Sequence, residues 1–182
     1  MFDEAWDFLK AQNPKYLGGS TGAVLHTLPD GRKVVVKRGA HPAHIRNEFD
    51  FNRYLNEIGV AVPDASMQED VDGNPLMMTQ YEEGAKAPTL DDKARLREDF
   101  VPHALIGNWD VLGMNMDNVL MRPDGTPSYV DVGGSGPFRA QGAPKGNAFG
   151  GQVGELQTMQ HLPPHTERFY NDMGNEEMGR SF

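Results

Sequence analysis

Three oxygen-bearing side chains interrupt apolar stretches in the second half of the sequence. Asp110 and Asn118 fall within the largely apolar residues 105–120, and Asp131 directly follows another apolar run. Each lies where a loop is predicted to meet a buried run, and such ligands suit Mg²⁺, which takes one or two carboxylates plus phosphate oxygens. Any one of them could instead cap a turn. Their order along the chain, after the two features described next, favours a metal and phosphate site.

A lysine and a glutamate in the first half of the chain could bind phosphate. Lys37 ends the apolar run 34–36, where strand alternation would leave its side chain inside a cleft. A desolvated ammonium is costly unless a carboxylate or an anionic ligand faces it, and Glu48 on the following predicted helix can supply the carboxylate. The alternative is an edge-strand lysine and a solvated glutamate. Together with the glycines described next, the pair favours a phosphate site.

A glycine-rich stretch precedes this lysine. Gly18 is followed by Gly19, Ser20, Thr21 and Gly22, and glycines let backbone N–H groups approach a phosphate without interference from a Cβ atom. The pattern is neither a P-loop nor a dinucleotide-binding fingerprint. Alone, such a cluster is more often an ordinary β-turn.

Hydrophobic spacing predicts the elements that would position these side chains. Helices are expected over 2–9, over 43–58, from Leu90 toward Pro102, where Thr89 and Asp92 form a capping box, and briefly over 155–160. Strand pairs are expected at 23–25 with 33–37, at 65–68 with 76–80, and at 119–121 with 128–130. Residues 132–154 contain eight glycines and no acidic residue, so a loop is expected there.

Composition excludes several classes of protein. The 182 residues carry a net charge of −9 and no cysteine, which argues against a nucleic-acid partner and excludes disulfides and thiolate chemistry. No stretch of about 18 apolar residues occurs, so no membrane partner is expected. The first ten residues lack the pattern of a secretion signal. A cytoplasmic protein, or one delivered into a host cell, is therefore expected.

The order of these motifs resembles the protein-kinase-like superfamily, and in particular minimal atypical kinases of bacteria and phages. Gly18–Gly22 resembles the glycine-rich loop, the strand ending at Lys37 resembles the one that carries the phosphate-binding lysine, and Glu48 resembles its helical partner. Residues 77–84, with Gln80 and Tyr81, look like the hinge that binds adenine.

The second half of the resemblance covers the catalytic groups. Residues 108–110 look like the start of a catalytic loop, Asn118 like its metal-binding asparagine, and Asp131 like the aspartate of the metal motif. The spacing departs from the family, because Asn118 follows Asp110 by eight residues rather than five. Either Asp110 or Asp117 could therefore face the acceptor hydroxyl, and we take Asp110 as the catalytic residue.

The resemblance implies an α+β, two-lobed protein-kinase-like fold, with an antiparallel-sheet N-lobe over residues 1–83 and a reduced, mainly helical C-lobe over 84–182. It implies ATP and Mg²⁺ as cofactors and transfer of the γ-phosphoryl group to a hydroxyl, most simply serine or threonine of a protein substrate. Such an enzyme could serve as a bacterial effector or toxin, or as a phage protein. The alternatives are a small-molecule kinase or adenylyl transferase on the same fold, and a pseudokinase or structural binding module.

Two cations in the expected loop belong to the same hypothesis. Arg139 and Lys145 lie where the family's activation segment meets its substrate. They could contact an acidic acceptor or the phosphates of the nucleotide, or they could be ordinary solvated charges.

Overall fold

The first half of the chain forms one antiparallel sheet. A computed structural model describes residue 9, the backbone of residues 15–18, and residues 22–181. The strands are β1 (Lys15–Gly18), β2 (Ala23–Thr27), β3 (Lys33–Lys37), β4 (Ala65–Glu69) and β5 (Pro75–Gln80). Their spatial order is β1-β2-β3-β5-β4. The helix predicted over residues 2–9 lies outside the described residues, apart from Leu9.

Alternation along β3 separates its two faces, as the sequence predicted. Val34 and Val36 are buried in a small apolar cluster with Leu28, Leu76 and Met78. Val35 and Lys37 point the other way and line a cavity. The predicted hairpin of β2 and β3 is confirmed, and its turn is closed by a bond from the Leu28 amide to the Arg32 carbonyl.

A single long helix, α1 (Pro42–Glu57), follows the hairpin and confirms the helix predicted over 43–58. It begins at His41, whose ring Nδ1 accepts from the His44 amide, and Pro42 occupies the first turn, where its missing N–H costs nothing. Glu48 is on the buried face and is fully excluded from solvent. The helix therefore presents a carboxylate to the protein interior.

The helix predicted from Leu90 toward Pro102 is wrong as a continuous element. The capping box of Thr89 and Asp92 forms as predicted, but α2 (Lys93–Arg97) ends early and α3 (Phe100–Leu105) begins after a tight turn. Pro102 explains the break, since it lacks the N–H that a continuous helix would require. By restarting at Phe100, the chain puts the proline in a first turn, where no N–H is needed.

The remaining elements are short. They are β6 (Val119–Met121) and β7 (Pro127–Tyr129), which pair as predicted, and then α4 (Glu155–Thr158), α5 (Glu167–Tyr170) and α6 (Asn175–Arg180). The chain is thus a mixed α+β protein. None of the helices in its described part is long and apolar enough to cross a membrane.

The larger apolar cluster draws residues from both halves of the chain. Leu55 in the last turn of α1, and Val60 and Val62 after the helix, pack with side chains of the later elements. These partners include Leu96, Phe100, Leu112, Val119, Tyr129, Phe169 and Tyr170. The end of α1 is therefore anchored in the same core as the β6–β7 hairpin, which fixes Glu48 relative to the residues that follow β7.

Candidate functional site

A cavity of about 450 Å³ lies between one face of the sheet and the loops on either side of the β6–β7 hairpin. Seven residues that the sequence singled out line it: Lys37, Gln80, Tyr81, Asp110, Asp117, Asn118 and Asp131. Glu48 lies behind Lys37 and is fully buried. Residues that are 94 positions apart in the sequence, such as Lys37 and Asp131, therefore meet at one site.

The Lys37 ammonium lies between two carboxylates. Its Nζ is 2.6 Å from Glu48 Oε1 and 3.7 Å from Asp131 Oδ2. It also donates to the Val130 carbonyl at 2.7 Å. The side chain is 6% exposed, so its position is set by these three oxygens rather than by water.

Burial and neighbouring charges have opposite effects on the pKa values of Lys37 and Glu48. Burial alone would lower the pKa of Lys37, but the negative charges of Asp131 and Glu48 outweigh it and hold that pKa above its ordinary value. Burial also raises the pKa of Glu48 to about 7, against the opposing effect of Lys37. At neutral pH the lysine is therefore a fixed cation at the inner end of the cavity.

The β6–β7 hairpin brings the two predicted metal ligands together. The backbone amides of Val130 and Asp131 both donate to the Asn118 carbonyl, at 2.9 and 3.2 Å. Asp131 Oδ1 accepts from the Gly133 amide at 3.0 Å, while Oδ2 faces Lys37. The side chains at both ends of this short hairpin therefore reach the same cavity wall.

Asp110 lies beside these ligands on the loop before β6. The Asn118 side-chain amide donates to the Asp110 carbonyl at 2.6 Å and fixes the loop. Burial raises the pKa of the Asp110 carboxyl and the charges of Asp131 and Asp117 add to this effect, whereas the Asn118 side chain, by hydrogen bonding to the carboxyl itself, opposes it. Asp117 also lines the cavity but is exposed, so Asp110 is the more buried of the two carboxyls and the one whose surroundings favour accepting a proton.

The predicted hinge residues line the outer part of the cavity. Gln80 ends β5, and its backbone N–H donates to the Asp64 carbonyl at 3.0 Å. The backbone N–H of Tyr81 donates to the Lys33 carbonyl at 3.2 Å. Both N–H groups are therefore already used within the protein. A nucleotide base at this edge would meet the carbonyl oxygens or side chains of these residues.

The glycine-rich loop joins β1 and β2. Gly19, Ser20 and Thr21 lie outside the described residues. Gly22 has a φ of +70°, a backbone conformation that glycine adopts without strain. Ala23, the next residue, lines the cavity.

The donor set suits a metal ion only in part. Over residues 22–181 and the described residues before them, no group of three or more His, Asp or Glu side chains could hold a metal ion alone. Asp131 and the Asn118 amide offer one carboxylate and one neutral oxygen. Mg²⁺ commonly takes one or two carboxylates and completes its shell with substrate phosphates and water, which matches this pair.

Helix α1 and its first residues also contact the chain that follows Asp131. The sequence did not predict these contacts. His44 Nε2 lies 2.9 Å from the Gly133 carbonyl, the Asn47 amide donates to the Ser135 carbonyl at 3.0 Å, and His41 Nε2 lies 2.9 Å from the Gly142 carbonyl. The spacing of His41, His44 and Asn47 along one helix face was the available signal. These contacts hold the segment after Asp131 against the helix that carries Glu48.

No known family model matches this chain, and no curated protein matches it. Within the described residues, the Lys37 ammonium, the Asp110 and Asp131 carboxylates and the Asn118 amide line one cavity.

Proposed function

We propose that this protein is a Mg²⁺-dependent phosphotransferase that uses ATP. The observation that carries the proposal is the position of the Lys37 ammonium, 2.6 Å from Glu48 and 3.7 Å from Asp131, at the wall of a cavity that Asn118 and Asp110 also line. An ammonium held by a buried carboxylate and aimed at a carboxylate–amide pair is what a triphosphate with its metal ion requires.

The groups of the site divide between binding and chemistry. Lys37, held by Glu48, would bind the α- and β-phosphates, and the backbone of residues 19–22 would cover them. Asp131 and Asn118 would hold Mg²⁺, which when bound neutralises charge on the β- and γ-phosphates. Gln80 and Tyr81 would contact the base at the outer end of the cavity.

Asp110 would act on the acceptor. As the acceptor hydroxyl oxygen bonds to the γ-phosphorus, the bond from that phosphorus to the β–γ bridging oxygen breaks and ADP leaves. The Asp110 carboxylate takes the proton that the hydroxyl releases. We propose a serine or threonine hydroxyl of a protein as the acceptor.

The architecture that goes with this function has two lobes. Residues 1–83, with the sheet and α1, would form the N-lobe, and residues 84–182 would form a reduced C-lobe. The contacts from α1 to Gly133, Ser135 and Gly142 support a closed arrangement of the two parts.

Labelled ATP tests the proposal. Purified protein is incubated with Mg²⁺ and either γ- or α-labelled ATP, with and without a cell lysate as acceptor. We expect label on protein from γ-labelled ATP only. Label from α-labelled ATP would replace phosphoryl transfer by adenylyl transfer, label on small molecules alone would replace the protein acceptor, and no transfer would contradict the proposal.

A matched pair of variants assigns the transfer to this site. Asp131→Asn keeps the shape of the side chain but removes its charge, so we expect transfer to fall at least about 100-fold. Asp124→Asn makes the same change in the exposed turn between β6 and β7 and should leave transfer unchanged. Equal activity of the two variants would place the reaction elsewhere.

A further inference from the structure

Lys145 is a buried cation with no carboxylate bonded to it in the described part of the chain. It is 4% exposed. Its Nζ donates to three backbone carbonyls, those of Gly107 at 2.5 Å, Gly134 at 2.7 Å and Gly136 at 2.9 Å. An ammonium has three N–H donors, and here all three are used. For Lys145, both sequence-based expectations are thereby excluded: contact with an acceptor or a phosphate, and a solvated loop charge.

Two aromatic rings complete the surroundings of this ammonium. Nζ lies 4.5 Å from the centre of the Trp109 ring and 5.5 Å from that of Phe149. Ring faces attract cations, and more strongly when water is excluded. Carbonyl dipoles and ring quadrupoles thus replace the carboxylate that a buried lysine usually requires.

The three carbonyls belong to two different parts of the proposed site. Gly107 immediately precedes the loop that carries Asp110, whereas Gly134 and Gly136 follow Asp131. The Gly136 amide also donates to the Ile106 carbonyl, so the two parts are in direct contact there. One ammonium therefore joins the chain before Asp110 to the chain after Asp131.

Lys145 also closes a small hairpin that reaches the cavity. Its own amide donates to the Pro137 carbonyl at 2.8 Å, and the Arg139 amide donates to the Ala143 carbonyl at 2.8 Å. The tip of this hairpin places Ala140 and Gln141 on the cavity wall. The segment that would face the acceptor is thus set by the position of Lys145.

We propose that Lys145 is a positioning residue that clamps the Asp110 loop to residues 133–145 and holds both ready for transfer without phosphorylation. The activation loops of kinases are often ordered by a phosphate group that is attached to the loop and pairs with arginines. Between residues 132 and 154, Ser135 is the one hydroxyl-bearing residue, and it is fully buried. The part of the proposal that concerns transfer rests on the proposed function.

Hydrogen exchange tests the clamp without relying on activity. Lys145→Met removes the charge at nearly constant length, and Lys86→Met makes the same change at an exposed lysine. In Lys145→Met we expect the backbone amides of residues 136, 139 and 145 to exchange faster than in wild type. In Lys86→Met these amides should exchange at the wild-type rate. Equal protection in all three proteins would overturn the clamp, including its role in transfer.

Kinetics test the consequence for transfer. In Lys145→Met we expect kcat to fall at least about tenfold with ATP affinity within about twofold of wild type, and wild-type protein treated with a phosphatase should keep full activity. Unchanged kcat in Lys145→Met, or loss of activity after phosphatase treatment, would overturn the positioning role. If wild-type protein transfers no phosphoryl group, the proposed function fails and the exchange measurement alone decides the clamp.

A pH profile separates positioning from simple stabilisation. Burial lowers the pKa of Lys145 to about 8, with Arg139 acting in the same direction and Glu155 opposing it. A neutral amine has two N–H groups for three carbonyls, so we expect wild-type kcat to fall above pH 8. Lys145→Arg, which stays charged, should lack this fall. Identical profiles of the two proteins would contradict the positioning role.

The pH dependence of stability, compared between wild type and Lys145→Arg, provides a readout that does not depend on turnover. The unfolded chain binds a proton at Lys145 more tightly than the native protein does, so this group adds stability as pH rises from 8 toward 10. A fall in kcat over the same range therefore cannot come from unfolding linked to Lys145. A parallel loss of stability in wild type but not in Lys145→Arg would contradict this explanation.

Discussion

Lys37 and Glu48 depend on each other because both are shielded from water. Glu48 is fully buried and Lys37 nearly so, and the 2.6 Å contact between them is the main compensation for the loss of hydration. Such a pair contributes little net stability compared with apolar residues, but removing one partner leaves a costly charge behind. The pair therefore serves the site more than the fold.

Lys37→Met tests this dependence. We expect the free energy of unfolding to drop by about 3 kcal/mol at pH 8, because the buried Glu48 must then either carry a charge without a partner or take up a proton that the unfolded chain does not bind at this pH. The drop should be smaller at pH 6, because the Glu48 carboxyl, whose pKa is already raised to about 7, then takes up a proton. Urea unfolding at the two pH values measures both.

The double variant Lys37→Met/Glu48→Gln supplies the control. It also removes the Glu48 carboxylate that has lost its partner, so the free energy of unfolding at pH 8 should recover. ATP-dependent transfer should be absent in both the single and the double variant, because both lack Lys37. Equal destabilisation of Lys37→Met at pH 6 and pH 8 would contradict the charge explanation.

The same substitution at Asp110 and at Asp117 shows which of the two carboxyls acts as the base. Asp110 is the partly buried carboxyl with the raised pKa, and Asp117 is exposed. We expect Asp110→Asn to lower kcat about 100-fold or more, as removal of a general base does, and Asp117→Asn to change it little. Steady-state kinetics at saturating ATP decide this, and the reverse ranking would assign the base to Asp117.

Helix α1 and the chain after Asp131 pack so closely that a methyl group at Gly133 would fit only if its neighbours shifted. A Cβ atom at Gly133 would lie 3.0 Å from His44 Nε2 and 3.2 Å from Glu48 Oε2. We therefore expect Gly133→Ala to push α1 outward, to cost about 1–3 kcal/mol of stability, and to lower transfer by moving Glu48 away from Lys37. Urea unfolding and the transfer assay measure the two effects.

Gly150 offers a matched control, since a Cβ atom there would meet nothing within 4 Å. Gly150→Ala should therefore leave stability and transfer close to those of wild type. If Gly133→Ala behaved the same way, the contact between α1 and the segment after Asp131 would not be needed for the site.

Local pattern predicted the elements well where each element's own residues decide its structure. Valine runs and glycine turns predicted the hairpins, and the capping box at Thr89 formed as expected. The break before Pro102 was missed because apolar spacing continues through it. The Lys37–Glu48 contact followed from burial logic, whereas the surroundings of Lys145 did not, because its partners are backbone carbonyls that carry no sequence signature.

The two halves of the molecule share one core, and a histidine is buried inside it. His103 is fully excluded from solvent and packs against Tyr129 in a tilted arrangement, with ring centres 4.1 Å apart. Burial lowers its pKa to about 3, so it stays neutral in the native protein. The unfolded chain takes up a proton there below about pH 6.5, so this group makes stability fall as the pH drops from 6.5 toward 3.

His103→Gln removes this proton uptake. We expect the slope of unfolding free energy against pH, between pH 6 and pH 4, to flatten by about 1.4 kcal/mol per pH unit relative to wild type. His161→Gln, at a largely exposed histidine, should keep the wild-type slope. Urea unfolding across this range measures both slopes, and an unchanged slope in His103→Gln would show that His103 does not stay neutral in the native state.

The convergence of Lys37, Glu48, Asn118 and Asp131 on one cavity is most directly tested by calorimetric titration of ATP with and without Mg²⁺. We expect wild-type protein to bind ATP at least about tenfold more tightly when Mg²⁺ is present. In Asp131→Asn this gain from Mg²⁺ should disappear, while Asp124→Asn should keep it. Failure of the wild-type protein to bind ATP under either condition would contradict the assignment of this cavity as a nucleotide site.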